Sequence, residues 1–368
     1  MTTKLLWDAA PGEVRAGLVE GGQLIEFRIF RPFEHLSMPL AAGEKYSARI
    51  INRIGPNKAL VTLGSDVDAI LQPAPQFAEG QLLIVEMTRP PVPEPGRWKL
   101  PLVRALPDTR AASPLGWRPG DAPEMSFARD MAAKADQLVC STVQIANELR
   151  EKVAKTKPVQ IDADAIAAAD FDSLAEMSVA GEFAIDGGML TIERTRAMTM
   201  IDIDGGGDAM ILNLSAAREI PRLLRLLDIG GQIGIDFLTL PDRKARLVLD
   251  STLAEFCSIL GPHERTAVNG FGFVQMVRPR TGPSVPEILC ETTPGRVSLN
   301  SKAVALLRAA AASNGYGSRI LTAQPAVIER IRQWPNALIK LRLLLGVDIG
   351  LVPDSSVTGY GHVHVSQS

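Results

Sequence analysis

Long apolar runs are missing from this 368-residue chain. No stretch of about 18 apolar residues occurs, so no membrane span is expected. Cysteine is scarce: Cys140, Cys257 and Cys290 form an odd, scattered trio with no C-x-x-C pair. That pattern argues against a disulfide framework and against a self-contained zinc site, and it suits a reducing, cytoplasmic setting. The opening MTTKLLWDAAPGEVR lacks the apolar core of a secretory signal. Charge of one sign is not in excess either. The formal net charge is −2, so any contact with nucleic acid must come from a local basic patch rather than a global field. A Walker-type phosphate loop is absent too, because Gly205–Gly207 run into Asp208 instead of Lys-Ser/Thr. Four histidines occur, His35, His263, His362 and His364. The last two share one side of the strand-like GHVHV. They read either as a metal pair or as a solvated strand face, and the second reading is preferred.

What is present describes an ordinary globular protein, with 46% apolar and 22% charged residues and length for two or three domains. EVRAGLVEGGQLIEFRIF alternates on both sides of Gly21-Gly22, a hairpin signal. From Lys45 to Val103 come short strands, YSARIINRI, KALVTL, DAILQP and LLIVEMT, separated by Gly, Pro, Asn and Asp. Such spacing suits a small OB-type barrel, although pattern alone does not separate it from another small all-β domain. Nine prolines between Pro90 and Pro123 mark a loop or linker. SFARDMAAKADQLVCSTVQIANELREKVAK then reads as helix, and the alanine-rich 158–180 as more helix.

The most informative block is 189–280. The apolar run MTMIDID ends in Asp202 and Asp204 just before three glycines. In the following NLSAAREIPRLLRLLDIGG, Ile220, Leu223, Leu224 and Leu227 form one apolar stripe at helical spacing. Pro221 should bend that helix, and Gly230-Gly231 stops it. QIGIDFLTL is a second strand carrying Asp236. A helix over about 243–260 and a third strand in TAVNGFGFVQMVRPR complete a β-α-β-α-β order. Strand–helix–strand units place neighbouring strands parallel. Alternation then puts Asp202 and Asp204 opposite Ile201 and Ile203, and Asp236 opposite Ile233, Ile235 and Phe237. The carboxylates gather at the C-terminal strand edge, where open α/β sheets build sites. Two carboxylates about 4 Å apart repel by roughly 4 kcal/mol at an effective dielectric of 20. A divalent cation removes that penalty, and oxygen-only ligands favour Mg²⁺ or Mn²⁺ over zinc. The plainer alternative is that one Asp caps a turn and the others are solvated.

IERTRAMTMIDID, NLSAAREIPRLLRLLDIGGQIGIDFL and VNGFGFVQMVRPR, in that order, resemble the ribonuclease E/G family of bacterial endoribonucleases. The likeness continues more weakly into EVRAGLVEGGQLIEFRIF, the β-rich 45–103 region and the closing GHVHV. It implies an α+β multidomain chain. An OB-type RNA-binding barrel (45–104) is inserted after an RNase H-like hairpin region (1–44). A Pro-rich linker and helical region (105–188), a DNase I-like catalytic subdomain (189–282) and a small C-terminal α/β domain (283–368) follow. The resemblance further implies Mg²⁺ held by Asp202 and Asp236, with Asp204 at the position of the family's Asn. It implies hydrolysis of single-stranded RNA by metal-activated water, leaving a 5′-phosphate.

Arg278 and Arg280 match basic family positions and read as RNA backbone contacts or as plain surface charge. Arg89 and Arg97 are further candidates for phosphate contact. Arg243, Lys244 and Arg246 form a cluster read first as a solvated helix face. Several departures stand out. Arg196 replaces an acidic residue, Thr239 replaces an Asp, and Leu60 and Ile70 stand where the family's barrel places base-stacking aromatics. Stacking is worth about 1–3 kcal/mol per base, so a weaker or different RNA grip is expected. The 5′-monophosphate sensor segment and the zinc link have no counterpart; only Cys290 lies near the latter. Little 5′-end dependence is therefore expected, and a homodimer without a zinc link remains open for the C-terminal domain, with KAVALLRAAAA as its helix. The alternative is a catalytically degenerate member that binds RNA or a regulatory partner.

Overall fold

A first sheet begins with β1 (Thr3–Ala10), β2 (Glu13–Glu20) and β3 (Gln23–Phe30), paired antiparallel in sequence order. The computed structural model of the chain describes residues 2–31, 40, 42–64, 66–74, 77–110, 114–118, 123–154, 157–280 and 282–366, so His35 lies outside the described residues. The Gly21-Gly22 hairpin forms where the alternation predicts it. Strand β1 has no alternating signature because it is the central strand: Leu5, Leu6 and Trp7 are all buried, the continuous apolar run of a strand covered on both faces.

The chain then builds a barrel from β4 (Lys45–Gly55), β5 (Lys58–Thr62), β6 (Asp68–Leu71), β7 (Leu82–Arg89), a small hairpin β8 (Val92–Glu94) and β9 (Arg97–Lys99), and β10 (Leu102–Arg110). The order β4-β5-β6-β10-β7, with β7 pairing back on β4 and β6 parallel to β10, closes five strands. This closed five-stranded barrel is consistent with an OB-type fold. Tyr46, Ile50, Val61, Leu71, Val85 and Val103 fill it. A further strand, β11 (Gly116–Arg118), pairs with β4.

Residues 123–180 correct the expectation of nearly continuous helix. Helix α1 (Pro123–Lys134) is followed by β12 (Gln137–Cys140), α2 (Val143–Lys152), β13 (Val159–Ile161), α3 (Ala163–Ala168) and α4 (Phe171–Ala180). Strand β12 is parallel to β1 and β13 parallel to β12, giving the sheet order β13-β12-β1-β2-β3. Both strands are too short for periodicity to reveal. In the buried Leu138-Val139-Cys140 an apolar run of three reads equally well as helix.

The third unit holds β14 (Glu182–Ile185), β15 (Gly188–Arg194), β16 (Thr199–Gly205), α5 (Ala209–Leu226), β17 (Gly231–Asp236), α6 (Arg243–Cys257), β18 (Glu264–Arg265) and β19 (Phe273–Arg278), in sheet order β14-β15-β16-β17-β19-β18. Strands β16 and β17 are parallel, joined through α5. The third strand of the expected β-α-β-α-β order is antiparallel to β17. The physical reason is a reversal inside the segment itself. Strand β18 runs up toward the carboxyl end of β17, the chain turns at 269–272, and β19 returns. One face of this sheet is covered. Ile201, Ile203, Ile233, Ile235, Val274 and Met276 meet Ile220, Leu223, Leu224 and Leu227 of the α5 stripe, all nearly fully buried. At about 1.5–3 kcal/mol per buried side chain, that stripe secures the helix to the sheet.

The C-terminal unit comprises α7 (Val285–Cys290), α8 (Leu299–Ala312), β20 (Ser318–Ala323), α9 (Pro325–Arg332), α10 (Pro335–Leu345), β21 (Ile349–Pro353) and β22 (His362–Ser366), with sheet order β21-β20-β22. His362 and His364 share one exposed side of β22, and among the described residues no three His, Cys, Asp or Glu side chains converge as a metal site. A buried ionic clasp binds this unit to the first sheet. Fully buried Glu13 accepts from Arg15 at 2.6 Å and Arg31 at 3.0 Å and lies 3.8 Å from Arg308 of α8, which also pairs with Asp8. No helix among the described residues is long and apolar enough to cross a membrane.

Candidate active site

Asp202 and Asp236 are partners in the register of β16 and β17. Adjacent strands lie about 4.8 Å apart, and partnered residues on a sheet project from the same face. The two carboxylates therefore stand side by side on the open face, with their neighbours Ile201, Ile203 and Ile235 turned into the core. Asp204 stands one rung further along the same face, opposite Met189 of β15. Asp202 accepts only from the adjacent Ile203 N–H, at 3.0 Å. Among the described residues, Asp204 and Asp236 have no hydrogen-bond or ion-pair partner. Among the described residues no Lys or Arg pairs with Asp202 or Asp236, whereas the buried Glu13, Glu26 and Glu287 all stand in ion pairs.

The residues present fit a hard divalent ion. Two unpaired carboxylates in register on neighbouring strands, about 4.8 Å apart, are the oxygen donors that such an ion prefers. The lack of a third convergent ligand among the described residues is what a magnesium site tolerates, since that ion keeps several waters and takes substrate oxygens.

The strand end that carries Asp236 is clamped from α5. Buried Asn213 donates through Nδ2 to the Leu238 carbonyl at 2.8 Å and accepts from the Leu238 N–H at 3.0 Å. Reading from the residues overlooked Asn213. Its signal was present: 213, 216, 217, 220 and 224 fall on one helical face, and the other four are apolar. On the sheet's other side, the turn 269–272 abuts the same edge. Gly272 accepts from the Phe237 N–H at 3.2 Å. Its φ is +91°, and a Cβ there would sit 2.2 Å from the Phe237 carbonyl oxygen. One rung below Asp236, Gly234 leaves room for Met200 and the Phe273 ring to close over the strand.

Arg278, Arg280, Arg89 and Arg97 are not brought to this edge. Arg278 is at the opposite end of β19, five residues from the Asp236 rung, or about 17 Å. Its guanidinium donates to the Leu224 and Ile229 carbonyls at 3.0 and 2.8 Å, tying off the end of α5, and burial holds its pKa below the ordinary value. Arg280 donates to Glu287 at 2.6 Å and to the Gly230 carbonyl at 2.9 Å. Arg89 donates to the Leu100 carbonyl at 2.6 Å; burial, and then the neighbouring charge of Arg280, depress its pKa. Arg97 is exposed and pairs with Glu94 on the β8–β9 hairpin. Leu60 and Ile70 are direct cross-strand partners, half-buried on the barrel's outer surface in one row with Asn52 and Leu102. Arg196 lies in the turn between β15 and β16, before the amino end of β16, with its guanidinium beside Gly96. Thr239 donates to the Phe271 carbonyl at 3.3 Å.

The third unit thus belongs to the class of α/β sheets with acidic side chains at the carboxyl edge of parallel strands, the edge at which open α/β sheets commonly bind ligands. Within that class, residues 126–281 match the Ribonuclease E/G family, so the chain carries a segment related to that family. Ribonuclease G of Escherichia coli (strain K12) is 37% identical over 120 residues, 29% of this chain and 24% of the relative. Ribonuclease E of the same strain is 36% identical over 113 residues, 27% and 10% respectively. The Ribonuclease E/G-like protein, chloroplastic, of Arabidopsis thaliana is 33% identical over 118 residues, 29% and 12%. The chain thus spans about a quarter of the length of the Ribonuclease G it matches. The matched segment contains both strands of the carboxylate pair, and the barrel lies outside it.

Proposed function

We propose that the chain is a Mg²⁺-dependent endoribonuclease acting on single-stranded RNA. The observation that carries this reading is the in-register, unpaired Asp202–Asp236 couple, inside the segment that matches the ribonuclease family. Asp202 and Asp236 would hold the ion, with Asp204 adding negative charge beside it. When bound, the ion activates a water and neutralises charge developing on the attacked phosphate; Mn²⁺ can serve in its place. The chain's own part is to hold the two carboxylates on one rung and to keep the strand end rigid through Asn213. It leaves the open face accessible to an extended polynucleotide.

The departures at Arg196 and Thr239 do not weigh against this reading. Arg196 sits in the turn before β16 with its guanidinium beside Gly96, off the rung that carries the carboxylates, and the Thr239 hydroxyl is used to hold a neighbouring turn. In the same reading the first sheet is RNase H-like, the third unit is the DNase I-like catalytic subdomain, and the protein works in the cytoplasm. It shows little preference for a 5′-monophosphate and forms, where it dimerises, a dimer without a zinc link. Incubating RNA with the full chain and with Asp236→Asn, with and without EDTA, tests it. Cleavage by the parent that EDTA and the substitution both abolish is expected. No cleavage by the parent, or cleavage that survives both treatments, overturns the reading in favour of a protein that binds RNA without cutting it.

A further inference from the structure

Phe271 is 82% exposed, the only phenylalanine among the exposed large apolar side chains of the described residues. A solvated ring on a floppy loop would mean little, but this one sits on a heavily braced turn. Asn269 Oδ1 accepts from the Phe271 N–H at 2.9 Å and from the Phe273 N–H at 3.0 Å. Thr239 Oγ1 donates to the Phe271 carbonyl, and the next residue, Gly272, accepts from Phe237, the residue after Asp236. The turn is therefore stitched to the strand end that carries the carboxylate, while its ring is left in water.

A second observation lies on the same edge. Helix α6 starts seven residues after Asp236, and its first turn holds Arg243 and Lys244 and no acidic residue. Cations at a helix N-terminus oppose its dipole, and here only the N-cap Asp242, which accepts from the Ala245 N–H at 2.8 Å, offsets them. Among the described residues neither Arg243 nor Lys244 has a hydrogen-bond or ion-pair partner, whereas Arg246 of the same cluster is used locally on the Leu240 carbonyl. An exposed aromatic ring and unpartnered cations, both carried by segments that adjoin the end of β17, are the two kinds of group by which proteins grip single strands, ring against base and cation against phosphate.

We propose that Phe271 is a stacking platform for a base of single-stranded RNA next to the attacked phosphate, with Arg243 and Lys244 contacting the adjoining backbone. This rests on the reading of the Asp202–Asp236 edge as the cleavage site. It moves the aromatic contact from the barrel, where Leu60 and Ile70 offer none, to the catalytic edge. Because every base presents a π-face, the contact tolerates any sequence.

The test uses the full chain and its F271A, F271L and F271Y variants. Binding of single-stranded oligoadenylate carrying one 2-aminopurine is followed in EDTA by fluorescence, and cleavage of the same RNA separately in Mg²⁺. The expected result is a 2-aminopurine response with the parent and with F271Y that F271A and F271L lose. Affinity should fall roughly tenfold or more in those two, and KM should rise more than kcat falls. Identical responses and affinities for parent, F271A and F271L overturn the proposal, as does the absence of any response with the parent. A stacking response without cleavage by the parent defeats the nuclease reading and leaves the platform standing. Cleavage with F271A indistinguishable from the parent does the reverse.

Discussion

Asp202 and Asp236 occupy one rung of two parallel strands although 34 positions separate them in sequence. The crossover through α5 achieves this, and Asn213 of that helix reaches back to fix the backbone just past Asp236. The same element thus makes the carboxylates neighbours and keeps them so.

Replacing Asn213 by Ala is expected to leave both polar groups of Leu238 without partners, at about 1–3 kcal/mol for each buried group left unsatisfied. Chemical denaturation should record a loss in that range. Amide exchange should quicken at Leu238 before it does in β17 itself. A variant as stable as the parent, with a slow Leu238 amide, would contradict the clamp.

Acid should loosen the clasp between the first sheet and the C-terminal unit. Burial alone would raise the Glu13 pKa, but Arg15, Arg31 and Arg308 outweigh it, and the group titrates below its ordinary value. A carboxylate depressed in the folded state contributes stability that is complete above the unfolded pKa, about 4.3. That contribution is lost as pH falls through the folded value. Glu13→Gln should cost about 3 kcal/mol near neutrality, because it strips the partner from buried guanidinium groups. It should also flatten the stability loss below about pH 4.3. Urea melts of parent and variant across pH 3–7 measure both.

The three thiols should be inert in the native protein. Cys140, Cys257 and Cys290 are all buried, and burial pushes the pKa of each upward, that of Cys257 to about 11. Since the thiolate is the reactive form, an alkylating reagent at pH 8 should modify none of them until denaturant is added. Rapid native labelling of any one would contradict the packing around it.

On the barrel, Leu60 and Ile70 stand side by side across β5 and β6. Introducing Leu60→Phe with Ile70→Phe should strengthen binding of single-stranded RNA by about 1–3 kcal/mol for each base that stacks. Fluorescence anisotropy at fixed salt measures it. Unchanged affinity would mean that RNA does not cross this surface.

The third unit was largely readable from its residues because its signals are strong. A 3.6-residue stripe defines α5, and two apolar strands each break their pattern with an aspartate. Of the first sheet only the β2–β3 hairpin was, since β1 and β12 are buried on both faces and show no alternation. Their parallel pairing joins residues more than 130 positions apart. The antiparallel return of β19 was hidden by a two-residue strand, β18, too short to register. Among the candidate site residues, the shared face of the carboxylates was legible from alternation. Arg278 and Arg280 were not placed, because a basic residue that ties off a helix end has the same letter as one that faces a phosphate.

The central claim is that Asp202 and Asp236 share one hard cation, and calorimetric titration of the full chain with Mg²⁺ tests it most directly. One binding site, lost in Asp202→Asn and in Asp236→Asn while both variants keep the parent's circular dichroism, is the predicted result. No binding to the parent, or binding unchanged in either variant, would contradict it.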